Sequence, residues 1–304
     1  KVYLYNNPMI GVIINPYAGN GKGIKKLKYI QDFINEKKLK CKIEITKSKE
    51  EGKEKFIEFL EKCERIVLVG GDGTLNNALQ LGVDLNIDKT IGMIPVGCGN
   101  DFVRGIYERN LPFYEKMEKA FFGKEKYFDA GILESKDKKF VFLNGCGFGI
   151  DSMTAKKSEE LRVLKGILRY LISLFLVLKD FKPIKVKIKS HDFEYEGEIT
   201  LITFGNGKYV GGGFKLTPLA DPSDGKIDVS IIKKMKKIEI LKKLPKAIMG
   251  THINDPYCIY GYFGNPIEIE SENYYNFHLD GEIYEIREEK VFIKVKGNFF
   301  KFSI

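Results

Sequence analysis

Cysteine is scarce in this 304-residue sequence, and its spacing excludes the common cysteine frameworks. The five cysteines are odd in number, widely separated and never arranged as Cys-x-x-Cys. A disulfide-stapled secreted domain is therefore not indicated, and we expect reduced thiols in a cytosolic protein. The N-terminal residues also lack a charged start followed by an apolar core, so the sequence predicts no secretory signal.

The sequence also lacks an uninterrupted apolar run long enough to cross a membrane. Leu161–Phe181 is the most apolar stretch, but Arg169 interrupts it, and Tyr170–Leu178 is far shorter than the ~20 residues required. The helical spacing predicts a helix that covers the core, lines an acyl-chain pocket or contacts a bilayer. Its apolar face comprises Val163, Leu164, Ile167, Leu168, Leu171, Ile172, Phe175 and Leu178. No stretch combines clustered arginines with interleaved aromatic residues, so no nucleic-acid groove is predicted.

The composition is that of an ordinary globular protein with an excess of positive charge. Hydrophobic residues make up 43% and charged residues 30% of the chain, whose length suits two domains. Lysine and arginine number 50 against 41 acidic residues, which gives a formal net charge of +9. This excess favours anionic partners such as a nucleotide or an acidic membrane surface, although solvated lysine faces give the same composition.

The segment Gly70–Thr74 carries a clear signal for a ligand site. Ile66–Val69 is a β-branched and aliphatic run typical of a strand buried on both faces, and three glycines then interrupt it. Thr74 can cap a following helix, so free N–H groups and a helix dipole converge on one anion site. Asp72 would repel phosphate there, which predicts a mediating divalent cation. A plain glycine-rich turn is the alternative. Walker A and Rossmann loops are excluded, because Gly-Lys-Ser/Thr is absent and Asn76 replaces the third glycine.

Two further segments repeat this strand–loop–helix order. Ile10–Ile14 leads through the loop Asn15–Gly23 into a helical pattern over Ile24–Glu36. Thr90–Pro95 leads into a second glycine-containing loop. Such repetition predicts an α/β domain with a parallel sheet and helices on both faces, in which ligands bind where the strands end.

The pattern changes near Lys124–Asp129, beyond which strands dominate and helices are few. This change predicts a β-rich, sandwich-like second domain. We place the domains at residues 1–126 and 127–304, and leave open whether the last strand returns to the first domain. The predicted strands are Tyr127–Leu133, Lys139–Phe142, Ile184–Ser190, Phe193–Phe204, Ile227–Ile232, Pro266–Glu270 and a last one from Val291 onward.

Two acidic turns stand out in the second domain. In Asp221–Lys226 an Asp-Gly turn places carboxylates beside exposed carbonyls, which suits a hard cation, although a metal-free hairpin has the same pattern. In Asp280-Gly281-Glu282 two acids lie two residues apart, so one can orient a hydroxyl or hold a metal while the other accepts the proton. The spacing leaves open which acid is the base. This chemistry needs no histidine, so we expect structural roles for the three histidines.

These motifs resemble those of the diacylglycerol kinase catalytic superfamily, which includes bacterial soluble lipid kinases, sphingosine kinases and ceramide kinases. Gly70–Asn76 resembles its nucleotide-binding signature, whose Gly-Gly-Asp-Gly-Thr element NAD kinases share. Asn15–Gly19 resembles its first nucleotide-contacting loop, and Pro95–Phe102 resembles the segment that closes over the nucleotide. Asn144–Asp151 resembles the segment that opens the second domain of the lipid kinases.

The resemblance implies roles for individual residues. The implied nucleotide-contacting residues are Asn15, Pro16, Tyr17, Ala18, Gly19, Thr46, Gly71, Asp72, Gly73, Thr74, Leu75, Asn76, Asn77 and Cys98. Cys98 stands where the family usually has Thr, a better hydrogen-bonding group, and Asn77 stands where Glu is often found. Thr46 could equally cap the predicted helix over Glu50–Cys63. The implied metal ligands are Asp72 for the nucleotide Mg²⁺, and Asp221, Asp224 and the Lys226 carbonyl for a structural Mg²⁺. Asp280 and Glu282 would supply the catalytic base.

The resemblance as a whole implies an ATP- and Mg²⁺-dependent lipid kinase whose active site lies in the cleft between the domains. Diacylglycerol is the favoured acceptor and phosphatidic acid the product, although the sequence does not identify the lipid. Such an enzyme would be cytoplasmic and would meet its substrate as a peripheral protein at the inner membrane face; a homodimer is left open. The alternatives are an NAD kinase-like enzyme and a non-catalytic lipid- or nucleotide-binding protein.

Overall fold

The computed structural model describes residues 9–107, 111–136, 138–161, 164, 166–271, 275–286 and 288–304. The chain divides into two compact units. The first contains the chain up to Phe128 together with Phe299–Ile304, and the second contains Asp129–Asn298. The chain therefore leaves the first unit and returns to it with its last residues.

The first unit is an α/β domain with a parallel sheet. Its strands are β1 (Ile10–Ile14), β2 (Cys41–Ile45), β3 (Arg65–Gly70) and β4 (Thr90–Pro95). Its helices are α1 (Ala18–Lys25), α2 (Leu27–Glu36), α3 (Lys49–Lys62), α4 (Asp72–Leu79), α5 (Asp101–Tyr107) and α6 (Phe113–Phe122), with a 3₁₀ turn at Gln80–Val83. The strands lie in the order β2-β1-β3-β4 and pair in parallel, and Lys301 and Phe302 pair in parallel beside β4.

Helices cover both faces of this sheet, as the sequence predicts. Alternate residues of β1 point to opposite faces. Ile10, Val12 and Ile14 pack in one cluster with apolar residues of α2 and α6. On the other face Gly11 lies so close to the ring of Phe59 in α3 that an added Cβ would overlap it.

The register of the strands brings three loops to one edge of the sheet. Ile14 of β1 pairs with Val69 of β3, and Val69 pairs with Ile94 of β4. The loops that follow these strands therefore begin side by side. This edge holds the candidate site of the first unit.

The residue that caps α3 is not Thr46, one of whose two predicted roles is to cap this helix. Ser48 is the capping residue, and its hydroxyl accepts the N–H of Glu51 at 3.1 Å. Thr46 instead donates its N–H and its hydroxyl to the carbonyl of Ile14, at 3.1 and 3.4 Å. The interpretation of Thr46 as a helix cap is therefore wrong, because Ser48 lies immediately before the first helical residue.

The second unit is rich in strands, as predicted, and most of them are antiparallel. Its strands are β5 (Glu125–Glu134, which begins in the first unit), β6 (Lys139–Phe142), β7 (Gly145–Gly149), β8 (Ile184–Lys189), β9 (Glu194–Gly205), β10 (Asp228–Lys233), β11 (Cys258–Tyr262), β12 (Ile267–Glu270), β13 (Tyr275–Leu279), β14 (Glu282–Ile286) and β15 (Lys290–Ser303, which ends in the first unit). Its helices are α7 (Ile150–Glu160), α8 (Gly166–Val177) and α9 (Lys237–Met249), with a 3₁₀ turn at Thr251–Asn254.

The long strand β9 organises this unit. It pairs with β8 along its first half, with β7 along its second half, and with β10 on its other edge. β13 joins β7, and β14 joins β13. Fully buried side chains such as Phe148, Phe204 and Phe277 fill the core beneath these strands.

Several of these elements are missing from the sequence prediction: α7, α9, β7, β11, β13 and β14. β7 reads Gly-Cys-Gly-Phe-Gly, a composition that disfavours strands in general. Its neighbours nevertheless require glycine, because a Cβ on Gly147 would overlap the carbonyl oxygen of Ile202. In α9, Pro245 and many lysines hide a helical pattern whose apolar side includes Ile240. Val163, which belongs to the predicted apolar helical face, lies outside the described residues.

Within the part of the chain that the structure describes, no helix has both the length and the apolar character needed to cross a bilayer.

Candidate active site

The three loops at the edge of the first sheet are joined by hydrogen bonds. The N–H of Asn15 donates to the carbonyl of Val69 at 3.0 Å, and its side-chain amide donates to the hydroxyl of Thr74 at 3.0 Å. The N–H of Val96 donates to the carbonyl of Gly70 at 2.8 Å. The loops after β1, β3 and β4 therefore form one surface.

Glycine is required where these loops touch. A Cβ added to Gly97 would lie 2.6 Å from the Cα of Gly71, so the two backbones are in direct contact. Gly19 has a φ of +61°, and a Cβ there would overlap the carbonyl oxygen of Val96. Larger residues at these positions would push the loops apart, which explains the glycines of the sequence motifs.

The first turn of α4 offers amide groups at this surface. The N–H groups of Thr74 and Leu75 already donate to the carbonyl of Gly71, at 2.9 and 3.2 Å. The N–H groups of Asp72 and Gly73 precede them in the first turn, where a helix provides no acceptor of its own. Gly73 is exposed. A helix start of this kind favours an anion such as a phosphate group.

Three of the predicted nucleotide contacts have packing roles in the structure. The side chain of Leu75 is fully buried, so only its backbone could contact a ligand. Asn76 is buried and accepts a hydrogen bond from Gln80 at 2.9 Å. Asn77 donates to the carbonyl of Lys49 at 3.0 Å and so ties α4 to α3.

The other predicted contacts of the first unit lie around the same loops. Tyr17 is 71% exposed, and its N–H donates to the Asn15 side chain at 3.0 Å. Ala18 donates its N–H to the Asn15 carbonyl at 3.3 Å, and Pro16 lies in the same turn. Thr46 is buried beside the end of β1, and Cys98 is an exposed free thiol.

Asp72 connects two of the loops. One of its carboxylate oxygens accepts the N–H of Phe102 at 3.1 Å. Burial raises the pKa of the Asp72 carboxyl, while hydrogen bonds from the backbone around residues 100–102 oppose that rise. A carboxylate beside first-turn amides is a suitable donor for Mg²⁺, so Asp72 fits its predicted role in chemistry.

Asn100 is a candidate binding residue that the sequence analysis did not single out. Its φ is +54°, and its side-chain amide donates to the carbonyl of Gly97 at 2.9 Å. Its side-chain oxygen is buried and, within the described part of the chain, has no hydrogen-bond partner. A Cβ on Gly97 would come within 2.8 Å of this oxygen, so the acceptor lies at the junction of the glycine loops. Such an orphaned acceptor fits a donor group of a bound ligand.

In the second unit, the carboxylate of Asp280 is held by backbone amides. Its Oδ2 accepts the N–H of Leu143 at 2.7 Å, and its Oδ1 accepts those of Asn144 and Gly145 at 2.8 and 3.0 Å. The N–H of Asp280 in turn donates to the carbonyl of Gly145 at 2.9 Å. Three donated N–H groups stabilise an ionised carboxylate and fix the turn between β13 and β14.

Glu282 begins β14 and is half-buried. Burial, together with the charges of Glu282 and Asp280, raises the pKa of Tyr284 to about 12. The two acids therefore create a negative environment at one turn.

A buried histidine–aspartate pair lies beside this turn. The Nε2 atom of His278 is 2.9 Å from the Oδ2 atom of Asp151, and both side chains are almost fully buried. Asp151 lies in the first turn of α7, and its other oxygen accepts the N–H of Ser152 at 2.8 Å. The pair has no local sequence signal, because its members are 127 residues apart.

The three predicted ligands of a structural metal lie in one turn, Asp221–Lys226. Both acids are exposed, and Asp224 accepts the N–H of Lys226 at 3.0 Å. Asp221 accepts the N–H and the hydroxyl of Ser223, at 3.0 and 2.6 Å. Among the described residues, no group of three or more His, Cys, Asp or Glu side chains is placed to hold a metal. Two carboxylates and one carbonyl are oxygen donors of the right kind for Mg²⁺, so the chemistry fits with an incomplete donor set.

An apolar cavity of about 80 Å³ lies within the second unit. Its wall comes from α7, α8, α9, β9 and β10 and from the segment around Val210–Leu216. Apolar side chains such as Leu174, Leu201 and Phe214 supply most of its exposed surface, although Asp151, His252 and other polar residues also lie in its wall. A cavity of this composition suits a hydrocarbon chain.

Comparisons with known proteins agree with these motifs. Residues 9–131 match the family described as diacylglycerol kinase catalytic domain, and residues 145–290 match the YegS C-terminal NAD kinase beta sandwich-like domain. The diacylglycerol kinase of Bacillus subtilis is 29% identical over 224 residues, which cover 73% of this chain and 72% of that protein. A protein of Klebsiella pneumoniae named "Probable lipid kinase YegS-like" is 26% identical over 268 residues, or 86% of this chain and 87% of that one.

A solved structure shows the same fold. The crystal structure of a diacylglycerol kinase from Bacillus anthracis superposes with a TM-score of 0.73 at 21% identity, and covers 98% of this chain and 96% of that one. The two family matches together span most of the sequence. The chain is therefore similar over most of its length to diacylglycerol kinases and YegS-like lipid kinases, with a match to the diacylglycerol kinase catalytic domain followed by a match to the YegS-type C-terminal domain.

Proposed function

We propose that this lipid kinase transfers the γ-phosphoryl group of ATP to a lipid hydroxyl, with diacylglycerol as acceptor and phosphatidic acid as product. The observation that carries the proposal is the contact of the three glycine loops at one sheet edge, with the buried oxygen of Asn100 at their junction. Several backbone amides meet there, which suit the phosphates of a nucleoside triphosphate, and one carboxylate, which suits the divalent cation that such a ligand carries.

The first unit would bind the nucleotide. The amides of Asp72 and Gly73 and the loop Asn15–Gly19 would hold the phosphates, and Asn100 would accept a hydrogen bond from the ligand. Asp72 would hold Mg²⁺, which supplies electrostatic stabilisation of the transferring phosphoryl group when bound. The turn Asp221–Lys226 would hold a structural Mg²⁺.

The second unit would bind and activate the lipid. Asp280 and Glu282 would orient the acceptor hydroxyl and take its proton, since both acids belong to one fixed turn. The apolar cavity would receive part of an acyl chain, which supports a lipid rather than a soluble acceptor. Because such a substrate is insoluble, the enzyme would act as a peripheral protein at a membrane, and we place it at the inner face.

A panel of acceptors with labelled ATP and Mg²⁺ tests the proposal. We expect labelled phosphatidic acid from dispersed diacylglycerol, and no labelled product from NAD⁺. Ceramide, sphingosine and phosphatidylglycerol should be used in parallel, because the panel must also identify which lipid is the acceptor. Product from NAD⁺ alone would favour the NAD kinase-like alternative, and nucleotide binding without any product would favour a non-catalytic protein.

A further inference from the structure

One face of α8 exposes large apolar side chains without a covering element in the described structure. Leu168, Ile172, Phe175 and Leu176 are 54, 36, 66 and 45% exposed. Their spacing places all four on one stripe of the helix. None of these four residues is charged. Single exposed apolar side chains are common on protein surfaces, whereas a contiguous stripe marks an interaction site.

The opposite face of the same helix lines the interior of the second unit. Leu174 is buried and contributes to the wall of the apolar cavity, as does Tyr170. Tyr170 also donates its hydroxyl to the carbonyl of Asp151 at 2.9 Å, which fixes α8 against α7. The cavity and the exposed stripe therefore lie on opposite faces of α8, which is about 18 Å long, and only the width of this helix separates them.

Positive charge collects at the C-terminal end of this stripe. Lys179 follows α8 at a spacing that continues the stripe, and the ammonium group of Lys237 donates to the Lys179 carbonyl. This contact brings the exposed start of α9, with Ile238 at 56% exposure, beside the end of α8. Lys179, Asp180, Lys182, Lys236 and Lys237 are exposed here, and Glu239 in the first turn of α9 is half-buried, so four cations stand against two acids.

We infer that the α8 stripe and the lysines at its end form the surface on which the protein docks to an anionic lipid bilayer. The apolar side chains would enter the interface between headgroups and acyl chains, and the lysines would contact lipid phosphates. A second copy of the chain could cover the apolar stripe with its own, but it would bring the same excess of positive charge to the lysines. The inference rests on the proposed function in one respect: it gives a lipid acceptor a short path from the bilayer to the cavity.

Vesicle sedimentation tests this surface without measuring activity. The probes are vesicles of phosphatidylcholine alone and of phosphatidylcholine mixed with phosphatidylglycerol. We expect wild-type protein to bind the mixed vesicles, and the double variant Phe175→Ser/Leu176→Ser to bind them about tenfold less tightly or worse. Lys179→Glu/Lys237→Glu should lose binding to mixed vesicles, and the loss should resemble that caused by high salt.

The matched control is Ile57→Ser/Leu85→Ser, which removes two apolar side chains of 38 and 41% exposure from the first unit. It should bind vesicles as wild type does. Equal loss in the control, or wild-type binding by Phe175→Ser/Leu176→Ser, would overturn the inference. So would sedimentation velocity that shows a wild-type dimer broken by the α8 variant with vesicle binding intact. Vesicle binding with no kinase product from any lipid would instead reject the proposed function and leave the surface in place.

Discussion

Replacing Asp280 by Asn should destabilise the second unit as well as stop catalysis. Asn tolerates the φ of +50° at this position, so the backbone need not change. Its single carbonyl oxygen can still accept the N–H groups of Asn144 and Gly145. Its NH₂ group would then face the N–H of Leu143, which now donates to Oδ2 at 2.7 Å. One charge-assisted hydrogen bond is thus replaced by two opposed donors.

The loss of that hydrogen bond should lower the free energy of unfolding by about 2–3 kcal/mol. For a unit of this size the melting temperature should fall by roughly 4–12 °C. Glu282→Gln is the matched comparison, because Glu282 is a half-buried residue at the start of a strand. Its replacement should lower the free energy of unfolding by about 0.5 kcal/mol or less. Both variants should retain nucleotide binding.

Thermal unfolding and lipid phosphorylation, measured on the same preparations, separate structure from chemistry. Loss of the proton acceptor should lower kcat by about 10²–10⁴-fold, and the variant with the larger loss identifies the base. An Asp280→Asn protein that melts with the wild type would refute the amide anchor. Full turnover by that variant would remove Asp280 from the mechanism.

Three further predictions concern the nucleotide loops and the effect of pH. Gly97→Ala should raise the KM for ATP, since its Cβ would press on the Gly71 backbone; Gly52→Ala, whose Cβ would meet nothing closer than 3.9 Å, is the control. Cys98→Thr should lower the KM for ATP by up to about tenfold, the value of one hydrogen bond, and an unchanged KM would exclude this contact. Hydrogen bonds from two α9 lysines lower the pKa of Asp255, so its contribution to stability should be complete above the unfolded pKa of about 4 and disappear as the pH falls further. Melting curves across acid pH should show a smaller decline for Asp255→Asn than for wild type, and equal declines would contradict the assignment.

The α/β unit could be predicted because its signals are local. Ile10–Ile14 and Thr90–Pro95 are strands with the bounds that their apolar runs indicate. Each run is followed within a few residues by glycines and a helical pattern, so one segment contains all the evidence needed. Where two local signals compete, the sequence is less decisive: Thr46 and Ser48 are both good caps, and only the helix start at Lys49 selects between them.

The second unit was harder to predict because its neighbours in space are distant in sequence. Glycine in β7 is unfavourable for an isolated strand, and its value appears only when β9 and β13 lie against it. Gly147 pairs with His278 across that ladder, and the pairing buries His278 against Asp151. Neither the residues around Gly147 nor those around His278 predict this contact by themselves. The sequence therefore could not show which partner His278 has.

The same long-range geometry explains why the Asp280 motif could be located but not divided into roles. Asp-Gly-Glu predicts a turn with two acids, and the turn is present between β13 and β14. The amides that bind Asp280 belong to Leu143, Asn144 and Gly145, at the start of β7. These residues precede Asp280 by 137, 136 and 135 positions. Because Asp280 is hydrogen-bonded to that segment while Glu282 starts a new strand, the two acids differ in their surroundings as well as in position. A substitution in the Asn144 segment that removes an amide, such as Leu143→Pro, would therefore act on Asp280 before it acts on Glu282.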